Sequence, residues 1–448
     1  MRKCDVIVIG GGPAGITFSR ELKKLKPKTD IIMLRPEKHS MVYCAIPYAI
    51  EGLFDPTKVY KKDNLITDVG VQLIQRSAQK IDLKTKRVID DIGETYEAAK
   101  IFIATGASPI LPQIPGTRAK NIYTVKTQAD MEALIANFDQ HPKQAIVIGA
   151  GAIGIEQAQA YRTRGLEVHL IDMADRVLVN MLDEDMAALV NDSIQEQGIH
   201  LQLNTQIKSI KTKYDRATQA SFSNGKSIEL DPDRDFIVFA IGMKPDIGIF
   251  EGQGLEITSE GIVIDNQMRT NIPGIYAAGD CCAYFSGIDG ESISGRLATN
   301  AVPMAKVAAR VIAGKDDTYE GFYNGAATCA YDLRIGSTGF TATMAAQHGI
   351  NTIAGHGETT TLFPMMPGAG KLKVKIVADA TNLQVIGGQV ISTLPVTDKI
   401  DILTLALQRR LTLKDLSQLS YSAQPWQSFF PARNAIVEAC EHALDNSA

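Results

Sequence analysis

The 448-residue sequence predicts an α/β protein with two parallel-sheet units and a final third of α+β character. Three observations carry this expectation. Val6-Ile7-Val8-Ile9 runs into Gly10-Gly11-Gly12 and then into a helical pattern. Ala145-Ile146-Val147-Ile148 does the same with Gly149-Ala150-Gly151. From about Gly325 strand-like runs appear with no glycine-rich turn among them. Strand, helix and strand joined by a crossover imply a parallel sheet. At roughly 150 residues per domain, the length suits about three domains.

The elements follow in order. Cys4–Ile9 reads as a first strand, a helix spans about Pro13–Leu25, and Ile31–Leu34 is the next strand. Ala145–Ile148 opens the second unit, with a helix to about Arg164 and a strand at Glu167–Ile171. In the last third Lys371–Val377 and Val385–Val390 are strands, and Thr397–Gln408 is a helix. Leu413–Leu416 starts a short helix, and Ala432–Leu444 forms the final one. The scheme recurs only twice and far apart, so it is no solenoid.

Composition excludes several classes. Forty-six Lys and Arg against fifty Asp and Glu give a net charge of −4. That argues against a nucleic-acid partner or a polybasic membrane surface. The uncharged stretch 335–357 is rich in Thr, Gly, Gln and His, a poor membrane span. Met1-Arg2-Lys3 imitates a signal peptide, but Asp5 and the early glycines leave too short an apolar run. Six cysteines (Cys4, Cys44, Cys281, Cys282, Cys329, Cys440) show neither metal spacing nor a disulfide framework, so a cytoplasmic protein without a metal is expected.

Gly10, Gly12 and Gly15 form G-x-G-x-x-G between a strand and a helix. The first glycine allows the turn, the second admits a pyrophosphate, and the third lets helix and strand pack closely. Gly149, Gly151 and Gly154 repeat the pattern. Asp172 stands 18 residues beyond Gly154, where a carboxylate accepts both ribose hydroxyls and repels a 2′-phosphate. NADH is therefore preferred; Arg176 nearby leaves NADPH open. At the first site the matching position is Arg35, not an acid. Either Glu37 serves the ribose, or Arg35 and backbone groups replace the acid. Two Rossmann-like fingerprints imply one donor and one acceptor dinucleotide, naturally NAD and FAD.

Further segments then matter: Ala104-Thr105-Gly106-Ala107-Ser108-Pro109, Ala240-Ile241-Gly242-Met243-Lys244-Pro245, and Thr270-Asn271-Ile272-Pro273-Gly274-Ile275-Tyr276-Ala277-Ala278-Gly279-Asp280. With the two fingerprints they resemble the FAD-dependent pyridine nucleotide–disulfide oxidoreductases over essentially the whole chain. The resemblance implies a discontinuous FAD-binding domain (1–118 and 245–322), an NAD(P)H-binding domain (119–244) and a C-terminal dimerisation domain (323–448), hence a homodimer. It implies that Asp280 holds the ribitol chain of FAD, and that Leu297-Ala298-Thr299-Asn300-Ala301 starts a helix near the flavin. The cofactor-binding set it suggests is Gly10, Gly12, Pro13, Ala14, Gly15, Arg35, Glu37, Ser40, Gln79, Ala104, Thr105, Gly106, Gly279, Asp280 and Ala298, together with Gly149, Gly151, Ile153, Gly154, Glu156, Asp172 and Gly242.

Dithiol members carry C-x-x-x-x-C beside the flavin. Here Ser40-Met41-Val42-Tyr43-Cys44-Ala45-Ile46-Pro47-Tyr48 has one cysteine. The pattern resembles the single-cysteine branch: coenzyme A-disulfide reductases, NADH:polysulfide or persulfide reductases, NADH oxidases and NADH peroxidases. A lone thiolate at a helix start either takes sulfur as a mixed disulfide or is oxidised by peroxide to a sulfenic acid. Peroxidases and water-forming oxidases of this branch usually place a histidine in the first glycine loop; Pro13-Ala14-Gly15-Ile16-Thr17 has none. Sulfur-species reduction therefore leads, with a small thiol, disulfide or polysulfide as substrate. NADH oxidase or peroxidase is the alternative, and an electron-transfer reductase for a small iron–sulfur protein a further one. Coenzyme A-disulfide reductases usually have Asn where Tyr43 stands. Leu419-Ser420-Tyr421-Ser422-Ala423-Gln424-Pro425-Trp426 resembles a segment that reaches the partner subunit's active site, which makes Tyr421 a candidate proton donor or, equally, a core tyrosine. Cys281-Cys282 reads as buried packing, and His442 sits in a helix without the motif of an acid–base histidine.

Overall fold

The computed structural model describes residues 1–293 and 295–446. Its first sheet has seven strands. Val71–Ile74, Ile31–Leu34, Arg2–Ile9 and Thr95–Ile103 lie side by side and parallel, and Ile275–Ala277 also pairs in parallel with Thr95–Ile103. Arg87–Asp90 and Ala78–Asp82 extend the sheet antiparallel. Val6 to Ile9 are buried on both faces, which is why the strand reads as a continuous apolar run rather than an alternating one. The Pro13–Leu25 helix covers one face, with Phe18 stacked on Phe102 at 3.8 Å, and Ala298–Ile312 packs beside it.

The second sheet is all parallel, in the order Ile122–Tyr123, Phe236–Phe239, Gln144–Ile148, Glu167–Ile171, Ile199–Gln202. Helices Ala152–Thr163 and Glu184–Glu196 are its crossovers. An antiparallel meander, Ile207–Lys213, Arg216–Phe222 and Ser227–Glu229, is inserted before the Phe236–Phe239 strand. A two-stranded ribbon, Ala107–Pro109 with Met243–Pro245, joins this unit to the first.

The last third is a five-stranded antiparallel sheet: Ala326–Ala330, Leu333–Gly339, Val385–Ser392, Lys371–Asp379 and Thr352–Thr360. Helices Thr397–Gln408 and Ala435–Asp445 pack on it around Leu403, Ala406, Ala439 and Cys440. The final helix starts three residues later than the apolar pattern suggests. Asn434 accepts the N–H groups of Ile436 and Val437, and that cap sets the boundary. Among the described residues no helix is long and apolar enough to cross a membrane.

Candidate active site

The first glycine loop is a tight, backbone-built cradle. Gly10 has φ +108° and donates its N–H to Leu34 O at 2.9 Å. A Cβ there would overlap the Ala104 carbonyl, and one at Gly15 would overlap the Gly10 carbonyl. Gly12 differs: it caps the helix without a side chain, and a Cβ on it would meet no protein atom within 4 Å. Its open space faces the unbonded N–H groups of a helix start, which suits an anionic diphosphate. Pro13 occupies the first turn, and Ala14 is buried where a Cβ on Gly279 would come within 3.2 Å of it.

The loop 104–106 and Asp280 lie at the ends of strands neighbouring that cradle. Ala104 donates to Ile9 O, and Thr105 Oγ1 to Asp246 O at 2.7 Å; Gly106 O accepts from Asp246 N. Asp280 Oδ1 accepts from the Tyr284 hydroxyl, and Lys126 Nζ stands 3.6 Å from Oδ2. Ala298 is exposed at the start of its helix. Ser40 is buried and its hydroxyl has no partner. An orphaned buried hydroxyl and an open cradle at a helix start each fit a bound cofactor that would complete them.

Arg35 is placed differently from an exposed ribose contact. Its stem walls Gly11, and its guanidinium makes a bidentate pair with Asp63 and donates to the carbonyls of Glu37 and Lys38. It therefore braces the loop from behind. Glu37 is exposed after the strand end, and Gln79 is exposed on the Ala78–Asp82 strand.

Cys44 is exposed in a 3₁₀ turn, Tyr43–Ala45, that runs directly into the Ile46–Glu51 helix. Burial lowers the pKa of the neighbouring Lys61 ammonium, and the charge of a Cys44 thiolate opposes that shift. Tyr43 lies beneath Lys126, whose ammonium is 4.7 Å from the ring centroid. Burial, then the charges of Glu37 and Asp280, push the Tyr43 phenol up to about 12. Lys126 so links the cysteine turn to Asp280.

One turn after Cys44, the Tyr48 hydroxyl donates to Glu156 Oε1 at 3.2 Å, and Thr328 Oγ1 donates to the same oxygen at 2.7 Å. Burial raises the Glu156 carboxyl, while these two hydrogen bonds pull it back. Burial and Glu156 together push the Tyr48 phenol well above its ordinary range.

The second loop copies the first. Gly149 has φ +107° and donates to Ile171 O; a Cβ on it would overlap the Ala240 carbonyl. A Cβ at Gly154 would overlap Gly149 O, whereas at Gly151 it would meet nothing. Ile153 is exposed on the first turn of the helix, and Gly242 adopts φ +106° beside Ile110. Asp172 accepts the Ala150 N–H at 2.5 Å and the Ala174 N–H at 2.7 Å, so both oxygens are oriented. Arg176 is buried, and its guanidinium is engaged by Leu182 O, Asp175 and Thr343 Oγ1.

Tyr421 is exposed and donates to Pro431 O at 2.6 Å within its own chain; Trp426 and Phe430 are exposed near it in sequence. Cys281 and Cys282 are fully buried free thiols 4.0 Å apart. Lys126 and Thr328 carry no sequence signal, and Tyr48 is marked only as the end of the cysteine pattern, with nothing to show that it meets Glu156. Each is an ordinary residue type until folding brings it to Asp280 or Glu156.

Comparison with known proteins agrees with this geometry. Residues 4–309 match the pyridine nucleotide-disulphide oxidoreductase family, and residues 326–429 match that family's dimerisation domain. An NADH oxidase of Methanocaldococcus jannaschii is 30% identical over 430 residues, covering 94% of each chain. An NAD(P)H coenzyme A polysulfide/persulfide reductase of Pyrococcus horikoshii is 28% identical over 94% of this chain and 95% of its own. The structure of an NAD-dependent persulfide reductase from A. fulgidus superposes with a TM-score of 0.93 at 27% identity, over 99% of this chain and 83% of the other.

Proposed function

The chain belongs to the pyridine nucleotide-disulphide oxidoreductase family, whose members use FAD and NAD(P)H, and we propose that it reduces a disulfide, persulfide or polysulfide with electrons from NADH through Cys44. The observation that carries this reading is the single exposed thiol in a helix-entry turn, joined through Tyr43 and Lys126 to Asp280. The curated relatives include a coenzyme A polysulfide/persulfide reductase, which supports a sulfur acceptor.

FAD, when bound, supplies the two-electron relay between nicotinamide and sulfur. Its diphosphate would lie on the Gly10–Gly15 cradle, with Asp280 and Ser40 as polar partners. NADH would lie on Gly149–Gly154, its ribose on Asp172, and Arg176 is engaged elsewhere and unavailable to a 2′-phosphate. The Cys44 thiolate attacks one sulfur of the acceptor RS–SR. A Cys44–S–SR bond forms and RS⁻ leaves with a proton from solvent. Two electrons, ultimately from NADH, cleave that bond and return the Cys44 thiolate and a second thiol. Overall, NADH, one proton and RS–SR give NAD⁺ and two RSH. The dimerisation domain supports a twofold dimer, with Tyr421 and Trp426 on the exposed segment that would face the partner.

An NADH oxidase is the second reading, favoured by the name of the relative at 30% identity. The two separate in one assay: anaerobic NADH oxidation by the FAD-loaded protein with coenzyme A disulfide, polysulfide or peroxide, against oxygen alone. Cys44-dependent turnover with a sulfur acceptor supports the proposal. Fast turnover confined to oxygen or peroxide overturns it.

A further inference from the structure

The C-terminal domain contributes more than a dimer surface. Lys375, on the Lys371–Asp379 strand, is buried, yet its ammonium sits 3.1 Å from Asp183 Oδ2 and 2.7 Å from Asp185 Oδ1. Asp183 is buried too, at the N-cap of the Glu184–Glu196 helix. Gln389 answers it in both directions: its amide donates to Asp183 Oδ2 at 2.7 Å, and its oxygen accepts the Asp183 N–H at 2.9 Å. Burial alone would raise the Asp183 carboxyl, but the Gln389 hydrogen bond and the Lys375 charge hold it below its ordinary value. Well-packed apolar residues of similar volume often bind two faces as firmly as a buried ion pair does. What the charged pair adds is direction, because it is satisfied only in one alignment.

The segment that carries Asp183 begins at Asp172. Asp172 takes the Ala150 N–H, and the Leu178 N–H donates to Ala150 O at 2.9 Å. Both polar groups of Ala150, inside the second glycine loop, are therefore held by this one segment. Midway, Arg176 donates to Leu182 O and to Thr343 Oγ1 of the C-terminal domain. A continuous set of hydrogen bonds thus runs from the C-terminal sheet to the nucleotide cradle.

We propose that Lys375, acting through Asp183 and the 172–183 segment, is a positioning residue that aligns the Gly149–Gly154 loop for NADH; this rests on the reading of that loop as the NADH site. Lys375 touches no substrate. It acts on the first half of the cycle alone, when NADH must meet the flavin, and not on the later fate of the electrons.

The test uses FAD-loaded Lys375→Met and Lys375→Arg, mixed rapidly and anaerobically with NADH while flavin bleaching is followed. Oxygen reoxidation of the reduced protein is measured separately. Lys375→Met should weaken NADH binding or slow bleaching by about tenfold or more, as expected when a reacting pair is misaligned. Lys375→Arg should recover much of it, and reoxidation should stay at the wild-type rate. Equal slowing of both halves would mark a merely structural role and overturn the proposal, as would unchanged bleaching. If Lys375→Met fails to retain FAD, Asp183→Asn/Lys375→Met removes both buried charges together. It should show the same NADH defect, and wild-type bleaching by it would overturn the proposal. Asp172→Ala reports separately on the nucleotide assignment. If it leaves NADH binding intact, that assignment falls. If it weakens binding while Lys375→Met does not, the positioning role alone falls.

Discussion

Gly151→Ala separates ligand chemistry from folding. Gly151 has φ −76° and ψ −177°, extended backbone open to any residue, and an added Cβ meets no protein atom within 4 Å. Folding should change little: loss of unfolded-chain freedom favours alanine by about 0.4–1 kcal/mol, while the helix N-cap position that Gly151 occupies prefers glycine to alanine by a comparable amount. On the proposed reading of this loop, the methyl group nonetheless enters the space through which the NADH diphosphate would reach the helix N–H groups. Losing one such charge-assisted hydrogen bond costs ~1.5–3 kcal/mol, or roughly ten- to a hundred-fold in NADH affinity. Gly149→Ala is the contrast. There φ is +107° and the new Cβ overlaps the Ala240 carbonyl, so strain of about 1–3 kcal/mol precedes any clash. Thermal unfolding of the FAD-loaded variants and anaerobic flavin bleaching at graded NADH supply both readouts. Gly151→Ala should unfold near the wild-type temperature and bind NADH weakly; Gly149→Ala should lose on both counts. NADH affinity within about twofold of wild type in Gly151→Ala would refute a diphosphate at this loop.

Cys44→Ser should retain FAD and still be bleached by NADH, while turnover with disulfide or polysulfide falls by orders of magnitude; Cys281→Ser, at a buried thiol, should do far less. Wild-type turnover with every sulfur acceptor in Cys44→Ser would favour an electron-transfer reductase. Asp172→Ala should raise the NADH KM by about tenfold with flavin content unchanged, because the carboxylate is oriented by Ala150 and Ala174 and lies outside the first cradle. NADPH should gain little from that change, since Arg176 stays engaged by Leu182 and Thr343. Asp183 contributes to the acid limb of stability. Its folded pKa lies below the ordinary 3.8, so its contribution is present above that value and is lost as pH falls through the depressed one. Asp183→Asn should flatten the fall in unfolding temperature on the acid side, and an unchanged profile would show that other carboxylates set the limb.

Much of this architecture is local in origin, and local features are legible in sequence. Pro13–Leu25, Ile31–Leu34, Glu167–Ile171 and Thr397–Gln408 have the same bounds in the structure as in the hydrophobic pattern. Each is bounded by strong signals, a glycine turn or proline on one side and a polar break on the other. The two glycine loops were legible for the same reason: positive φ and close approach restrict residue type more severely than packing does. Cys44 stood out because its neighbours are patterned too. The antiparallel meander at 207–229 is harder to read, since its short, half-exposed strands carry mixed side chains.

What sequence alone could not reach is the pairing of distant, unremarkable side chains. Arg35 occupies the position of a ribose contact, yet tertiary structure turns its guanidinium inward onto Asp63. Arg176 looks free to meet a phosphate until Thr343, 167 residues away, is placed beside it. Lys126 meets Asp280, Tyr48 and Thr328 meet on Glu156, and Lys375 meets Asp183. Glycine turns and apolar periods are set by the backbone within a few residues, so the sequence determined them by itself. A buried charge is satisfied by whatever the fold delivers to it, and only the folded chain decides which partner that is.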